Sequence, residues 1–331
     1  MRVLLTGATG FIGGALAERM AARGDRVRAL VRPASAADGL RRLGAEVVPG
    51  DLGDRASLDA AVDGCEAVIH VAGAVKALRA RDFLRVNGEG TRRVAEACAA
   101  ATPRPVLLYV SSLAAAGPAP DGRPRTEEDP PAPVSRYGES KLAGERAVRE
   151  RAPALEASIV RPPVVYGPRD RELMPVLLRM ARLGLAPRLG LAERRLSTVH
   201  VADLCDGILA VLARGRRVGR SGTAGTYFLD DGAVHGWEEI ARAAGDAWGA
   251  RVRLVPLPRA AAFPLALGGA IASAVTRRPS MLSLDKIREV RQASWTCTSA
   301  RARREVGYEP RLPLAEGMRD AVAWFRANGM G

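Results

Sequence analysis

Across the first 161 residues, short apolar runs alternate with segments whose apolar positions recur at helical spacing, a pattern that predicts strands joined by crossover helices. Residues 2–5 (Arg2-Val3-Leu4-Leu5) read as a first strand and 26–32 as a second, with a helix over 11–23 that repeats Leu16 and Met20. Residues 106–110 (Val106-Leu107-Leu108-Tyr109-Val110) carry the pattern of a strand buried on both faces. The segment 134–151 places Leu142 and Val148 on one side of a charged helix. The order predicts an α/β fold with a doubly wound parallel sheet. Beyond Tyr166 the alternation weakens: helices are predicted over 173–183, 202–212, 237–248 and 314–327, and short strands over 226–229 and 252–255.

The turn between the first strand and the first helix is Thr6-Gly7-Ala8-Thr9-Gly10-Phe11-Ile12-Gly13. Glycines at such a turn allow a tight bend, close approach of backbone to a phosphate, and close packing of helix on strand. The helix N-terminus adds unpaired N–H groups and positive potential. Glycines also serve as ordinary turn residues, and the strand-to-helix context favours a dinucleotide pyrophosphate here.

Tyr137 and Lys141 stand four apart on the predicted 134–151 helix, so they share a face. A phenol titrates near pH 10 alone and a nearby cation favours the phenolate, which makes such a pair usable as a general acid or base. A solvated helix face is the plain alternative. Lysine is rare in this chain, however, with Lys76, Lys141 and Lys286 the only three among 50 basic residues. Ser111-Ser112 follow the 106–110 strand at its carboxyl end, where open α/β sheets bind ligands, although serines there also act as caps.

Taken in order, Thr6 to Gly13, Asp51-Leu52, His70-Val71-Ala72-Gly73, Val86-Asn87-Gly88-Glu89-Gly90-Thr91, Ser111-Ser112, Tyr137 to Lys141, Arg161-Pro162-Pro163-Val164-Val165-Tyr166-Gly167-Pro168 and His200-Val201-Ala202-Asp203-Leu204 cover nearly the whole chain. The series resembles the extended short-chain dehydrogenase/reductases of the NAD-dependent epimerase/dehydratase superfamily. Within it, the chain is similar to the dihydroflavonol-reductase-like and 3β-hydroxysteroid-dehydrogenase-like branch. The resemblance implies that Ser112 hydrogen-bonds the substrate oxygen, Tyr137 exchanges its proton, and Lys141 holds the nicotinamide ribose and lowers the tyrosine pKa. Ser111 is the less favoured serine. It implies further that Asp51 and Leu52 contact the adenine, and that Val71, Ala72 and Gly73, with Lys76, Pro162 and Val164, line the cofactor. Asn87 resembles the family's helix asparagine, a structural or proton-relay group. Residues 1–167 are then expected to form a Rossmann domain binding NADP(H), and 168–331 mainly a smaller C-terminal substrate-binding lobe with segments returning to the Rossmann core.

Cofactor preference is read at the end of the second strand. An acidic residue there binds a ribose 2′-hydroxyl, whereas an arginine accommodates a 2′-phosphate. The position carries Arg32, with Ser35 able to add a hydrogen bond, so NADP(H) is expected over NAD(H).

Composition narrows the field. A chain of 331 residues that is 47% hydrophobic can bury a sizeable core. The net charge of +14 raises the question of nucleic acid, but the arginines are spread throughout with few aromatics, and no nucleic-acid function is expected. Cys65, Cys98, Cys205 and Cys297 are widely spaced, as are His70, His200 and His235, so no metal site is indicated and reduced thiols in a cytoplasmic protein are expected. No leader is expected ahead of the first strand. Residues 260–275 are almost entirely apolar but too short to span a bilayer, leaving a packed helix, a pocket cover or a peripheral membrane contact as readings. A homodimer is a further open expectation. The loop 117–133, rich in proline and charge, is expected over the active-site mouth.

Three chemistries share such a scaffold. Leu113-Ala114-Ala115 after Ser112 offers no extra acid or base for a dehydratase, and Pro162-Pro163-Val164 with Leu196-Ser197-Thr198 argues against a nucleotide diphosphate, although Arg194 and Arg195 keep a nucleotide-sugar epimerase open. The expected function is interconversion of a ketone and a secondary alcohol on a hydrophobic small molecule, sterol-, polyketide- or flavonoid-like. A noncatalytic dinucleotide-binding scaffold is the alternative from another class.

Overall fold

A computed structural model describes residues 1–189, 194–257 and 284–330. The chain opens with β1 (Arg2–Thr6), α1 (Phe11–Ala22), β2 (Arg26–Val31), α2 (Asp38–Arg42), β3 (Glu46–Pro49), α3 (Arg55–Val62) and β4 (Ala67–His70). It continues through α4 (Ala80–Phe83), a π-helical turn (Leu84–Glu89), α5 (Gly90–Ala100), β5 (Val106–Val110), α6 (Leu113–Ala116), α7 (Arg136–Glu150) and β6 (Ala157–Arg161). Then come β7 (Val164–Tyr166), α8 (Leu173–Leu183), β8 (Leu185–Leu189), β9 (Arg195–Leu196), β10 (Thr198–His200), α9 (Val201–Arg214) and β11 (Thr226–Phe228). The described chain ends with β12 (His235–Gly236), α10 (Trp237–Trp248), β13 (Arg253–Leu257), α11 (Leu284–Val290), β14 (Ser294–Trp295), α12 (Ala300–Val306) and α13 (Leu314–Ala327).

Seven of these strands form one parallel sheet in the order β11-β6-β5-β4-β1-β2-β3. Its strands read as continuous apolar runs because helices cover both faces. On one face, Leu16 and Met20 of α1 meet Leu204, Ile208 and Leu212 of α9. On the other, Leu58 of α3, Val94 and Cys98 of α5 and Val148 of α7 pack over Leu4, Val68 and Leu107. Each fully buried aliphatic side chain contributes about 1.5–3 kcal/mol relative to exposure, so the sheet is the rigid frame on which the loops at its carboxyl edge are mounted.

Strand order reverses between β1 and β4, the topological switch point where ligands bind in such sheets. The fold is therefore of the Rossmann type expected from the sequence. After β6 the chain builds a second layer on the carboxyl side, where α8, α10 and α13 enclose Tyr166, Leu177, Ile240 and Met318. β11 returns to the main sheet beside β6. The helices expected over 173–183, 237–248 and 314–327 have those bounds, and α9 extends one residue earlier and two later than its expected span. The apolar stretch 260–275 lies outside the described residues.

Candidate active site

The β1–α1 turn is closed by its glycines. Gly7 has φ +75°, and a Cβ there would stand 2.6 Å from the Ala72 nitrogen; one on Gly13 would stand 2.1 Å from the Gly7 oxygen. A side chain at Gly7 would push the turn away from the end of β4, and one at Gly13 would push α1 away from the turn. Gly10 is the N-cap of α1 and no side chain caps this helix end, so Phe11 and Ile12 begin a helix whose N-terminal dipole faces the switch point uncompensated. A dinucleotide's pyrophosphate fits this cradle: it is narrow, lined by backbone, and lacks a competing capping group.

Beneath the cradle runs a buried strut. Thr6 Oγ1 accepts from the Ala72 amide at 3.2 Å and lies 2.7 Å from His70 Nδ1; His70 Nε2 lies 3.0 Å from Thr91 Oγ1, whose hydroxyl donates to the Asn87 carbonyl at 2.6 Å. With the threonine proton committed to Asn87, Nε2–H donates and Nδ1 accepts. Burial, seconded by the charge of Lys141, pushes His70 down to about 3, so the ring stays neutral.

Asn87 sits within the π-helical turn and is fully buried. Its amide nitrogen donates to the Ala74 carbonyl at 3.0 Å and to Ser140 Oγ at 2.9 Å, while its oxygen accepts from the Ala74 amide at 2.8 Å. The side chain thereby ties the strand-end loop Gly73-Ala74 to α7. A π-turn reorients one residue relative to an α-helix, a feature that clusters at functional sites.

On α7, Tyr137 is half-buried and Lys141 buried. Ser112, at the N-cap of α6, accepts from the Ala114 amide at 3.1 Å and lies close enough to the Tyr137 phenol to lower its pKa. Burial pushes Tyr137 up to about 12, with the Ser112 contact the opposing influence. The Lys141 ammonium is turned to the Val110 carbonyl oxygen, 2.7 Å away, and lies over the Tyr109 ring. Burial pushes Lys141 down to about 8, against the nearby Glu145 carboxylate. The expected pull of the lysine is not among the influences on the phenol: burial, against the Ser112 contact, sets its proton affinity, and in this geometry Tyr137 is an acid that holds its proton.

The two serines separate cleanly. Ser111 donates to Glu145 Oε1 at 2.6 Å, and Glu145 also takes a two-pronged contact from Arg161 at 2.8 and 2.6 Å. All three side chains are buried, so Ser111 is committed to the framework and Ser112 faces the tyrosine. After Ser112, Leu113, Ala114 and Ala115 form the buried apolar wall of α6.

Sequence reasoning missed the clamp on the first turn of α7. Asp285 accepts from the Arg136 and Tyr137 amides at 2.8 and 3.2 Å, and the Ser135 hydroxyl donates to Glu289 at 2.7 Å. These acids belong to α11, far along the chain, and no local signal in the sequence joins them to α7.

The remaining expected residues divide by location. Arg32 is exposed just past the end of β2, and its carbonyl accepts from the Ser35 amide at 2.9 Å, forming one turn. Asp51 accepts from the Gly53 amide at 2.8 Å, and Leu52 is half-buried against α5 at Gly90. Val71 and Ala72 adjoin the glycine turn, and a Cβ on Gly73 would lie 3.4 Å from the Lys141 nitrogen. Lys76 pairs with Glu172 at 2.6 Å. The Pro162 carbonyl accepts from the Leu113 amide at 2.9 Å, and Val164 pairs with Thr198 between β7 and β10. The loop 117–133 is bound to the C-terminal segment by Ala119–Ser294 and Arg125–Thr296 backbone bonds.

The sequence model described as the NAD dependent epimerase/dehydratase family matches residues 3–224. A ceramide reductase of Caulobacter vibrioides is 38% identical over 332 residues, covering 99% of this chain and 95% of its own length. A 4-hydroxy-2-methyl-3-oxo-4-farnesyl-3,4-dihydroquinoline-1-oxide ketoreductase of Stigmatella aurantiaca is 30% identical, covering 100% of this chain and 98% of its own. Among solved structures, a UDP-glucose 4-epimerase of Thermotoga maritima superposes with a TM-score of 0.79 at 20% identity, covering 99% of both chains, a likeness of fold.

Proposed function

Because this chain belongs to the NAD dependent epimerase/dehydratase family and is an NAD(P)-dependent enzyme, we propose that it reduces a ketone on a hydrophobic small molecule to a secondary alcohol. The observation that carries the reading is the meeting of the Ser112 hydroxyl with the Tyr137 phenol beside Lys141 at the switch point.

The residues that would hold the cofactor are the Gly7 to Gly13 turn for the pyrophosphate, Asp51 and Leu52 for the adenine, Val71 to Gly73 with Lys141 for the nicotinamide ribose, and Arg32 with Ser35 for a 2′-phosphate, so NADP(H) is preferred. When bound, the nicotinamide supplies the hydride. Ser112 and Tyr137 then donate hydrogen bonds to the carbonyl oxygen, and Tyr137 delivers its proton as negative charge develops there. A phenol that keeps its proton across the working pH range suits that donor role. Lys141 orients the ribose and supplies positive charge from below.

A hydrophobic substrate is supported by the names of the two relatives, one acting on ceramide and the other on a farnesyl-bearing ketone. Residues 168–331 contribute mainly the lobe that selects it. Arg195, which would favour a nucleotide sugar, donates instead to the Gly122 carbonyl at 3.0 Å. The test is a screen of the purified protein with NADPH against apolar ketones and, in parallel, nucleotide sugars. Net NADPH oxidation by ketones supports a reductase; isomerised sugar without net oxidation replaces it with an epimerase.

A further inference from the structure

The segment 167–172 crosses the mouth of the switch point and is pinned on both banks. On the β1 side, Arg169 pairs with Glu18 of α1 at 2.5 Å; on the β4 side, Glu172 pairs with Lys76 at 2.6 Å. Between them, buried Asp170 accepts from the Glu172, Leu173 and Met174 amides at 2.8, 3.1 and 2.9 Å, which fixes the start of α8 and sets the loop's path. Arg169 itself has φ +70°, the only non-glycine residue in the left-handed region among those described. A residue carrying a Cβ is held there at a cost, in a backbone conformation from which this side chain reaches α1.

We propose that Arg169 is a further binding residue for the dinucleotide, its guanidinium exchanging the Glu18 carboxylate for the cofactor's pyrophosphate. The inference rests on the reading of the Gly7 to Gly13 turn as the dinucleotide site and adds to it a side-chain cation that the turn itself lacks. Gly10, Gly14 and Glu18 follow one another at four-residue intervals, so they lie on a single face of α1. A Cβ placed on Gly14 would stand 4.0 Å from an Arg169 terminal nitrogen, so the guanidinium already spans the distance between Glu18 and Gly14. From Gly14 to the N-cap Gly10 is about one further helical turn, roughly 5.4 Å, and neither glycine carries a side chain of its own. The planar fork that binds a carboxylate binds a phosphate with the same geometry. Both members of the Arg169–Glu18 pair are 43% exposed, and such a pair is a weak competitor against a doubly charged anion at a helix N-terminus. Glu18 is therefore a stand-in anion that keeps the arginine poised.

The two partners should move binding in opposite directions, which a merely structural ion pair would not do. Titrations of NADPH, NADH and ADP-ribose, the last carrying the pyrophosphate without nicotinamide, are compared for wild type, Arg169→Ala and Glu18→Gln, with thermal unfolding of each to verify the fold. Arg169→Ala should weaken all three ligands by about ten-fold and leave the NADPH-to-NADH preference unchanged, since the pyrophosphate is common to both. Glu18→Gln should tighten all three several-fold. Unchanged binding in Arg169→Ala, or a shift of the same sign in both variants, overturns the proposal while leaving the dinucleotide site intact. Wild-type protein that binds none of the three overturns the dinucleotide reading itself, and the proposal with it.

Discussion

The Lys141 ammonium stands 2.7 Å from the carbonyl oxygen of Val110, the last residue of β5, so the serine pair and the catalytic-face helix are tied together one residue upstream of Ser111. One contact thus fixes the spacing between the two elements that carry Ser112 and Tyr137. It also buries the amine, which is why its proton is held less tightly than in water.

That burial has a readable consequence. With Lys141 pushed down to about 8, its positive charge is present below that pH and lost above it. Tyr137, pushed up to about 12, keeps its proton over the same range and cannot produce the change. The kcat/KM of ketone reduction should fall as pH rises through about 8, and Lys141→Met should be slow with a flat profile. A wild-type profile that stays level to pH 10 would show that the charge is not required.

Glu145 and Arg161 form a buried pair with side chains 1% and 4% exposed. Removing one partner leaves the other charge stranded, and Ser111 loses its acceptor as well. Glu145→Ala should lower unfolding stability by about 3–5 kcal/mol in denaturant titration. A loss below about 1 kcal/mol would mean that the pair relaxes to solvent, as exposed pairs do.

His235 is held between Asp231 and Glu239, 2.9 Å from each. Burial lowers its proton affinity, but the two carboxylate bonds prevail and raise it to about 9. The folded value lies above the unfolded one near 6.5, so the stabilisation is fully present below pH 6.5 and is lost as pH rises through about 9. Wild type should lose on the order of 2 kcal/mol between pH 6 and 10, and His235→Asn should lose less over the same interval. Parallel stability curves for the two proteins would remove the clasp from the account.

Arg32 is exposed, and the partner proposed for it is the 2′-phosphate of the ligand. A charge-assisted contact to a 2′-phosphate contributes about 1.5–3 kcal/mol, so Arg32→Ala should weaken NADPH by roughly ten- to a hundred-fold and spare NADH. Equal weakening of both cofactors, or a wild-type preference for NADH, would make Arg32 an ordinary surface arginine.

Much of this was legible from local signals. The β1–α1 turn, β5 with its serines, and the tyrosine helix each carry their pattern within about fifteen residues, where periodicity and turn chemistry act. Contacts that no local pattern encodes separate Ser111 from Ser112, since Glu145 claims the first and the second lies near Tyr137. The π-helical turn at Asn87 has no period of its own in the sequence. The Asp285 and Glu289 clamp spans 148 to 154 residues, a tertiary capping contact that propensity cannot foresee. The spacing that puts Lys141 one turn from Tyr137 does not reveal that its ammonium turns to the Val110 carbonyl, so it could not give the raised proton affinity of the phenol.

Tyr137 is the residue proposed to give its proton to the ketone oxygen during reduction by NADPH. The direct measurement is single-turnover reduction of a long-chain apolar ketone by wild type and Tyr137→Phe, with cofactor affinity determined in parallel. The phenylalanine keeps the ring and its edge contact with Phe83 but has no proton to give. The account expects the rate to fall by about 100-fold or more with cofactor affinity nearly unchanged. Near-normal turnover in Tyr137→Phe would contradict it.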